Sequence, residues 1–218
     1  MNFLKGFQIA LDDVEILRLL RNQNTTKIDP SKVSEELMNE IKEMKKIATD
    51  LIEPRAIYDV FNSINLKPKS LFTKSERSVL AVCTIGGRLE EESLKFMKEG
   101  DLSLGVILDA IASHAAEQTA SFVNEAILED IRDETKDMQI TNRFSPGYCV
   151  WTIEEGQELI FSLLSTESIG VELSKSKMMI PRKSVSFAIN IGEHVDSELG
   201  VKECENCNLI NCPFRRLK

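Results

Sequence analysis

Residues 78–85 read Ser78-Val79-Leu80-Ala81-Val82-Cys83-Thr84-Ile85, an almost wholly apolar run that Gly86-Gly87 ends. A strand with no polar alternation has no face to give to water, so it belongs inside a sheet covered on both sides. A second segment, 102 to about 131, has the helical period. Leu104, Ile107, Leu108, Ile111, Ala115, Phe122 and Ala126 supply its apolar stripe. Ala110, Ala112, Ser113, Ala116, Ala120 and Ser121 lie between them. Side chains this small let the helix approach another backbone closely. Glu117 falls inside that run, where a carboxylate either faces water or needs a partner.

The remaining elements follow from the same rules. Residues 7–11 alternate weakly and predict a short strand. Val14, Leu17 and Leu20 predict a helix from Asp12 to about Arg21. Asp29-Pro30 reads as a helix start with Asp29 as the cap. Val33, Leu37, Ile41, Met44, Ile47 and Leu51 then keep the three-to-four period until Pro54 stops it. Strands are expected over 55–61, 169–173 and 184–191, with Met178-Met179-Ile180-Pro181 as an apolar turn between the last two. A helix is expected from Gly87 to about Met97. Another follows Thr152, whose hydroxyl and Glu155 form a capping-box pattern, and runs to about Leu164. The expected fold is α+β: one domain over 1–200, a twisted and mainly antiparallel sheet flanked by helices. A short cysteine-rich tail over 201–218 follows it.

With 35 acidic and 27 basic residues the net charge is −8. That balance argues against a general nucleic-acid binder, which needs excess Lys and Arg to neutralise phosphates. No apolar run approaches the ~20 residues that span a bilayer, and the first residues make a poor secretory signal. The expectation is a cytoplasmic protein with neither a membrane nor a nucleic-acid partner.

Arg143-Phe144-Ser145-Pro146-Gly147-Tyr148 has the traits of a ligand loop. Pro146 stiffens it, and Gly147 lets the backbone turn tightly or come close to a small molecule. Arg143 offers a forked donor suited to a carboxylate, and Tyr148 offers a ring and a hydroxyl. Taken alone, Pro-Gly-Tyr is only a turn signal. Beside the other motifs it resembles the Arg-x-x-Pro-Gly-Tyr motif of the activation domain of cobalamin-dependent methionine synthase. Ala115-Ala116-Glu117 resembles that family's Leu-Ala-Glu helix. The helix after Trp151, with Glu154, Leu159 and Leu163, resembles the one following the motif. The segment from Val171-Glu172-Leu173-Ser174 through Met178-Met179-Ile180-Pro181 to Ser184-Val185-Ser186 resembles the family's Leu-Thr-Glu-Ser, Met-x-Pro and Ser-Val-Ser stretch. The likeness spans roughly residues 78–192.

The resemblance implies a domain that binds S-adenosylmethionine and supports reductive remethylation of cobalamin. Arg143 would take the ligand carboxylate, with Pro146, Gly147 and Tyr148 lying against the ligand. Glu117 would face its positive charge. Asp137 stands where the family has a glutamate six residues before the arginine. The cobalamin would belong to a partner, a methionine synthase or another corrinoid protein. No Asp-x-His-x-x-Gly cobalamin loop occurs here: Ala115 follows His114, and Val195 follows His194. The electron would come from a flavodoxin-like or ferredoxin-like donor. The leading expectation is therefore a stand-alone activation protein. The alternative is a non-catalytic S-adenosylmethionine or corrinoid-protein binding module acting as an escort or sensor.

Five cysteines are present, three of them as Cys204-Glu-Asn-Cys207-Asn-Leu-Ile-Asn-Cys212-Pro213. Cys-x-x-Cys points two thiolates at one ion, and a third follows after four residues. Zinc normally takes four protein ligands, whereas iron–sulfur runs also end in Cys-Pro. The spacing leaves zinc, an iron–sulfur cluster and metal-free thiols or a disulfide open. Cys83 and Cys149 are expected as core thiols and His114 as a packing residue.

Overall fold

The structure is a computed structural model that describes residues 1–21, 33–148, 151–196 and 199. The apolar run forms β3 (Arg77–Thr84), and it lies mid-sheet as its composition demands. The other strands are β1 (Asn2–Lys5), β2 (Arg55–Asn62), β4 (Gln139–Ile140) and β7 (Ser184–Gly192). Their order is β1-β2-β3-β7-β4, and every pair is antiparallel. Helices are α1 (Asp13–Arg21), α2 (Glu35–Leu51), α3 (Lys69–Phe72), α4 (Arg88–Glu99), α5 (Leu102–Asp130) and α6 (Ile153–Leu163). The small hairpin β5 (Glu172–Leu173) and β6 (Met179–Ile180) stands apart from the main sheet. The α+β expectation holds.

The sheet is covered on both faces. On one, Ala56, Tyr58, Val79, Ala81, Cys83, Phe187, Ile189 and Ile191 pack under Ala120, Val123 and Ile127 of α5. On the other, Ile57, Leu80, Val82 and Ala188 pack against Phe72, Phe144, Trp151, Ile160 and Ile169. At one end, α1, α2, α4 and the first half of α5 build a third cluster around Leu17, Ile41, Met44, Leu89 and Ile111. Close approach along α5 is seen at Gly105, ahead of the run of small residues. A Cβ added at Gly105 would sit 2.5 Å from Met97 Cγ of α4. Ser93 Oγ, also on α4, donates to the Gly105 carbonyl at 2.8 Å.

Three local expectations are corrected. The first strand is 2–5 rather than 7–11. Gly6 adopts a left-handed φ of 68° and donates to the Pro54 carbonyl at 3.3 Å, which turns the chain off the sheet edge. Phe7 then stacks on Phe122 of α5, and Ile9 and Leu11 join the helical cluster. The described part of α2 begins at Glu35, with Ser34 as its cap through a bond from the Leu37 N–H. Asp29 and Pro30 lie outside the described residues. Over 169–173, a 3-10 turn (Thr166–Ile169) and left-handed Gly170 (φ 72°) leave only Glu172 and Leu173 extended. Their partner is Met179–Ile180, so the expected apolar turn is half of a hairpin. No helix among the described residues is long and apolar enough to cross a membrane.

Candidate functional site

The segment after β4 runs along the outer edge of β7 and changes register as it goes. Thr141 pairs with Asn190, its N–H reaching the Asn190 carbonyl at 3.0 Å. Phe144 next pairs with Ala188 through two bonds, of 3.0 and 2.8 Å. Between these points Asn142 and Arg143 stand opposite Ile189 alone, so the edge carries one extra residue, a β-bulge. The bulge inverts the alternation. Ile140 and Met138 pack on the α5 face, whereas Phe144, an even number of residues away, packs on the α6 face. Arg143 is thereby delivered to the α5 face. Its guanidinium lies over the Phe187 ring at 5.8 Å.

There Arg143 meets Glu117. The guanidinium donates to Glu117 Oε2 at 2.7 Å, and the side chains are 24% and 37% exposed. The carboxylate in the small-residue helix thus has a partner. Beneath the pair lies Cys83, opposite Val185 in the β3–β7 register. Burial pushes the Cys83 thiol up to about 12; Arg143 pulls it back and Glu117 pushes it further. The buried thiol is read as core packing, as expected from sequence.

Past Phe144 the chain closes a tight loop. The Tyr148 N–H donates to the Ser145 carbonyl at 3.3 Å, and the Gly147 N–H to the Trp151 carbonyl at 2.8 Å. The Trp151 N–H donates to the Tyr148 carbonyl at 3.1 Å. Gly147 has φ +93°, a conformation that favours glycine, and a Cβ there would meet Ile153 Cγ1 at 3.0 Å. Tyr148 is 41% exposed at the tip. The loop is anchored from below. Phe72, Phe144 and Trp151 form an aromatic triangle with centroid distances of 5.5–6.1 Å. Gly156 of α6 seats Pro146: a Cβ there would sit 2.5 Å from Pro146 Cγ and 2.9 Å from Trp151 Cε2. Gly156 was not singled out from sequence, although a lone glycine inside a helical pattern is the signal for such a packing reason. Thr152 caps α6, its oxygen accepting the Glu155 N–H at 3.2 Å.

Arg143 and Glu117 are thus in direct contact on the α5 face, while Pro146, Gly147 and Tyr148 follow Arg143 in the chain, with Pro146 and Gly147 packing toward α6. Asp137 sits elsewhere. It is exposed on the turn before β4, six residues of edge segment from Arg143 and so roughly 15–20 Å along it. Cys204, Cys207, Cys212 and Cys149 lie outside the described residues. Among the described residues no group of His, Cys, Asp and Glu could hold a metal ion. His114 is buried, and its Nε2 accepts the Asp12 N–H at 2.9 Å, so it serves the fold. An open groove lined by Glu35, Glu36, Glu40 and Glu43 runs along α2, apart from the motif loop.

Residues 66–206 match the family model described as vitamin B12 dependent methionine synthase, activation domain. The chain belongs to this family. The matched stretch takes in Glu117, the bulge, the motif loop, α6 and β7. A solved structure described as the MetH reactivation domain bound to AdoHcy shares the fold, with a TM-score of 0.61 at 16% identity. The match covers 90% of this chain and 79% of that one. No curated protein matches. The activation-domain likeness of the motifs is thus borne out at the level of family and fold.

Proposed function

We propose that this activation-domain protein binds S-adenosylmethionine and supports reductive remethylation of cobalamin held by a separate methionine synthase or corrinoid protein. The observation that carries the reading is the partly exposed Arg143–Glu117 pair, with Arg143 leading directly into the Pro146–Tyr148 loop. An α-amino acid brings one carboxylate and one ammonium. It can enter between the two side chains with each charge re-paired, carboxylate to Arg143 and cation to Glu117, so neither protein group is left stranded. The structural neighbour is described as bound to AdoHcy, S-adenosylhomocysteine, whose amino-acid head has the same carboxylate and ammonium, which supports this reading.

The residues here supply no nucleophile. Their work is to hold the amino-acid head, to lay the loop backbone at Gly147 and Tyr148 against the ligand, and to exclude water from the sulfonium methyl. Cobalamin, held by the partner, would supply the nucleophile for that methyl. The described histidines do not fit a corrin: His114 is buried and engaged, and His194 lies by Lys74, Glu76 and Glu193. A flavodoxin-like or ferredoxin-like protein would supply the electron. The tail cysteines Cys204, Cys207 and Cys212 would carry zinc or an iron–sulfur cluster. Metal analysis and a visible spectrum of anaerobically purified protein test that, and a colourless, metal-free chain removes both.

Calorimetry with S-adenosylmethionine tests the binding step. Arg143→Ala weakens binding at least about tenfold by removing a charge-assisted contact, and unchanged affinity in that variant overturns the assignment. The stand-alone role is tested by mixing the protein with a reductant, S-adenosylmethionine and a cobalamin-loaded synthase lacking its own activation domain. Methylcobalamin formation is expected. Its absence with intact binding leaves only the escort or sensor role.

A further inference from the structure

We propose that Asp109, held by Lys183, is the ribose-binding residue of this site, accepting hydrogen bonds from the hydroxyls of the nucleoside. The inference rests on the S-adenosylmethionine reading above and extends it to the other end of the ligand.

Asp109, Ser113 and Glu117 are four residues apart in turn, so they share one face of α5. At 1.5 Å per residue, Asp109 and Glu117 stand about 12 Å apart. The strand below keeps the same spacing. Lys183, Val185 and Phe187 alternate onto the α5 face, and Lys183 to Phe187 spans about 13 Å. Two cation–carboxylate pairs therefore lie on one side of the sheet, Arg143–Glu117 over Phe187 and Lys183–Asp109 one ligand length away.

The second pair is more closely built than a surface contact. Lys183 Nζ lies 2.8 Å from Asp109 Oδ1, donates to Ser113 Oγ at 2.8 Å and reaches the Asp109 carbonyl at 3.3 Å. The lysine side chain is only 14% exposed, whereas that of Asp109 is 43% exposed. Lys183 thus fixes one carboxylate oxygen and leaves the other side of the group open. A fixed carboxylate is the group that recognises ribose hydroxyls in nucleotide sites of other folds.

The direction of the ligand follows from what blocks the alternative. Toward the end of α5, Met138 and Ile140 pack with Val123 and Ile127, and Thr141 pairs with Asn190, so the chain itself fills that side. Toward the start of α5, the edge segment leaves β7 at Phe144. Ser184 to Phe187 have no strand neighbour on that side among the described residues. With its head at Arg143 and Glu117, the ligand extends through the sulfur toward Asp109.

The test is calorimetry on the full chain with two probes, S-adenosylhomocysteine and its 2′,3′-dideoxy analogue. The unaltered protein is expected to bind the dideoxy analogue about tenfold more weakly, and Asp109→Ala, which has no acceptor, to bind both equally, at the weaker level. Melting of the variant checks that it folds, and the unaltered protein's own discrimination reads the contact without any substitution. Equal affinity of the unaltered protein for the two probes overturns the ribose contact. So does a folded Asp109→Ala that retains the tenfold preference. Either result leaves the amino-acid site standing, whereas failure of the unaltered protein to bind S-adenosylhomocysteine overturns both readings.

Discussion

The two faces of the sheet meet the Arg143–Tyr148 segment in opposite ways. On the α6 face, Phe144 and Pro146 sit in a packed aromatic seat, with Phe72 and Trp151 buried and Gly156 shaved of its side chain to admit them. On the α5 face, Arg143 and Glu117 form a partly exposed ion pair over Phe187, in a direct contact of 2.7 Å that the proposed zwitterion would replace. One bulge residue separates these environments. The difference assigns separate duties: apolar packing fixes where the loop is, and charge provides what it can exchange. Stability and binding are therefore expected to respond to different substitutions.

The largest effect belongs to the packed side. Trp151 is 1% exposed and touches both other rings, so Trp151→Ala costs about 3–5 kcal/mol, read by denaturant unfolding. Gly156→Ala is next. Its new methyl has to displace the Pro146 ring and the Trp151 indole, a crowding cost of about 1–3 kcal/mol. Because Pro146 shifts with it, this variant also loses ligand affinity. A Gly156→Ala protein of unchanged stability would show the seat to be loose and would break the contrast.

The exchangeable side behaves the other way. Glu117→Gln removes a pair whose partners are a quarter and a third exposed, so it changes stability by less than about 1 kcal/mol. Its effect on S-adenosylmethionine binding is expected to be about tenfold, the loss of the cation's partner. Calorimetry and melting on one preparation separate the two. A large stability loss with unchanged affinity would make the pair a structural bridge.

How far the sequence disclosed this division depends on the kind of signal. The apolar run of β3 and the period of α5 place the central strand and the covering helix, because burial writes itself into composition. The Arg143–Tyr148 segment stands out only beside the other family motifs, since Pro-Gly-Tyr alone is a turn signal. The pairing of Arg143 with Glu117 is not legible. It depends on a bulge, a one-residue mismatch between segments some fifty positions apart, which no local pattern encodes. Lys183 and Asp109 likewise look like ordinary surface charges until β7 and α5 are brought together. Gly6 ends β1 and Gly170 ends the 3-10 turn before β5, both in left-handed conformations that a period-2 reading of 7–11 and 169–173 does not register.

The last expected effect concerns pH and separates the two faces once more. Cys83, under the ion pair, is pushed by burial to about 12, above its ordinary 9.0. Tyr58, on the same face, is raised to about 12 from 10.0, first by burial and then by its bond to Asp130 Oδ2 at 3.0 Å. Both groups are neutral below their unfolded values, so their contribution to stability is complete below about pH 9 and declines as the pH rises toward 12. Tyr58 reaches an exposed aspartate at the end of α5, so Cys83, fully enclosed, carries the greater share. Denaturant midpoints measured from pH 8 to 11 are expected to fall for the unaltered protein and to fall less steeply for Cys83→Ala. The α6 face holds no such group among the described residues, so Trp151→Phe should lower the whole curve without changing its slope. Parallel curves for Cys83→Ala and the unaltered protein would show that alkaline sensitivity arises elsewhere than beneath the ion pair.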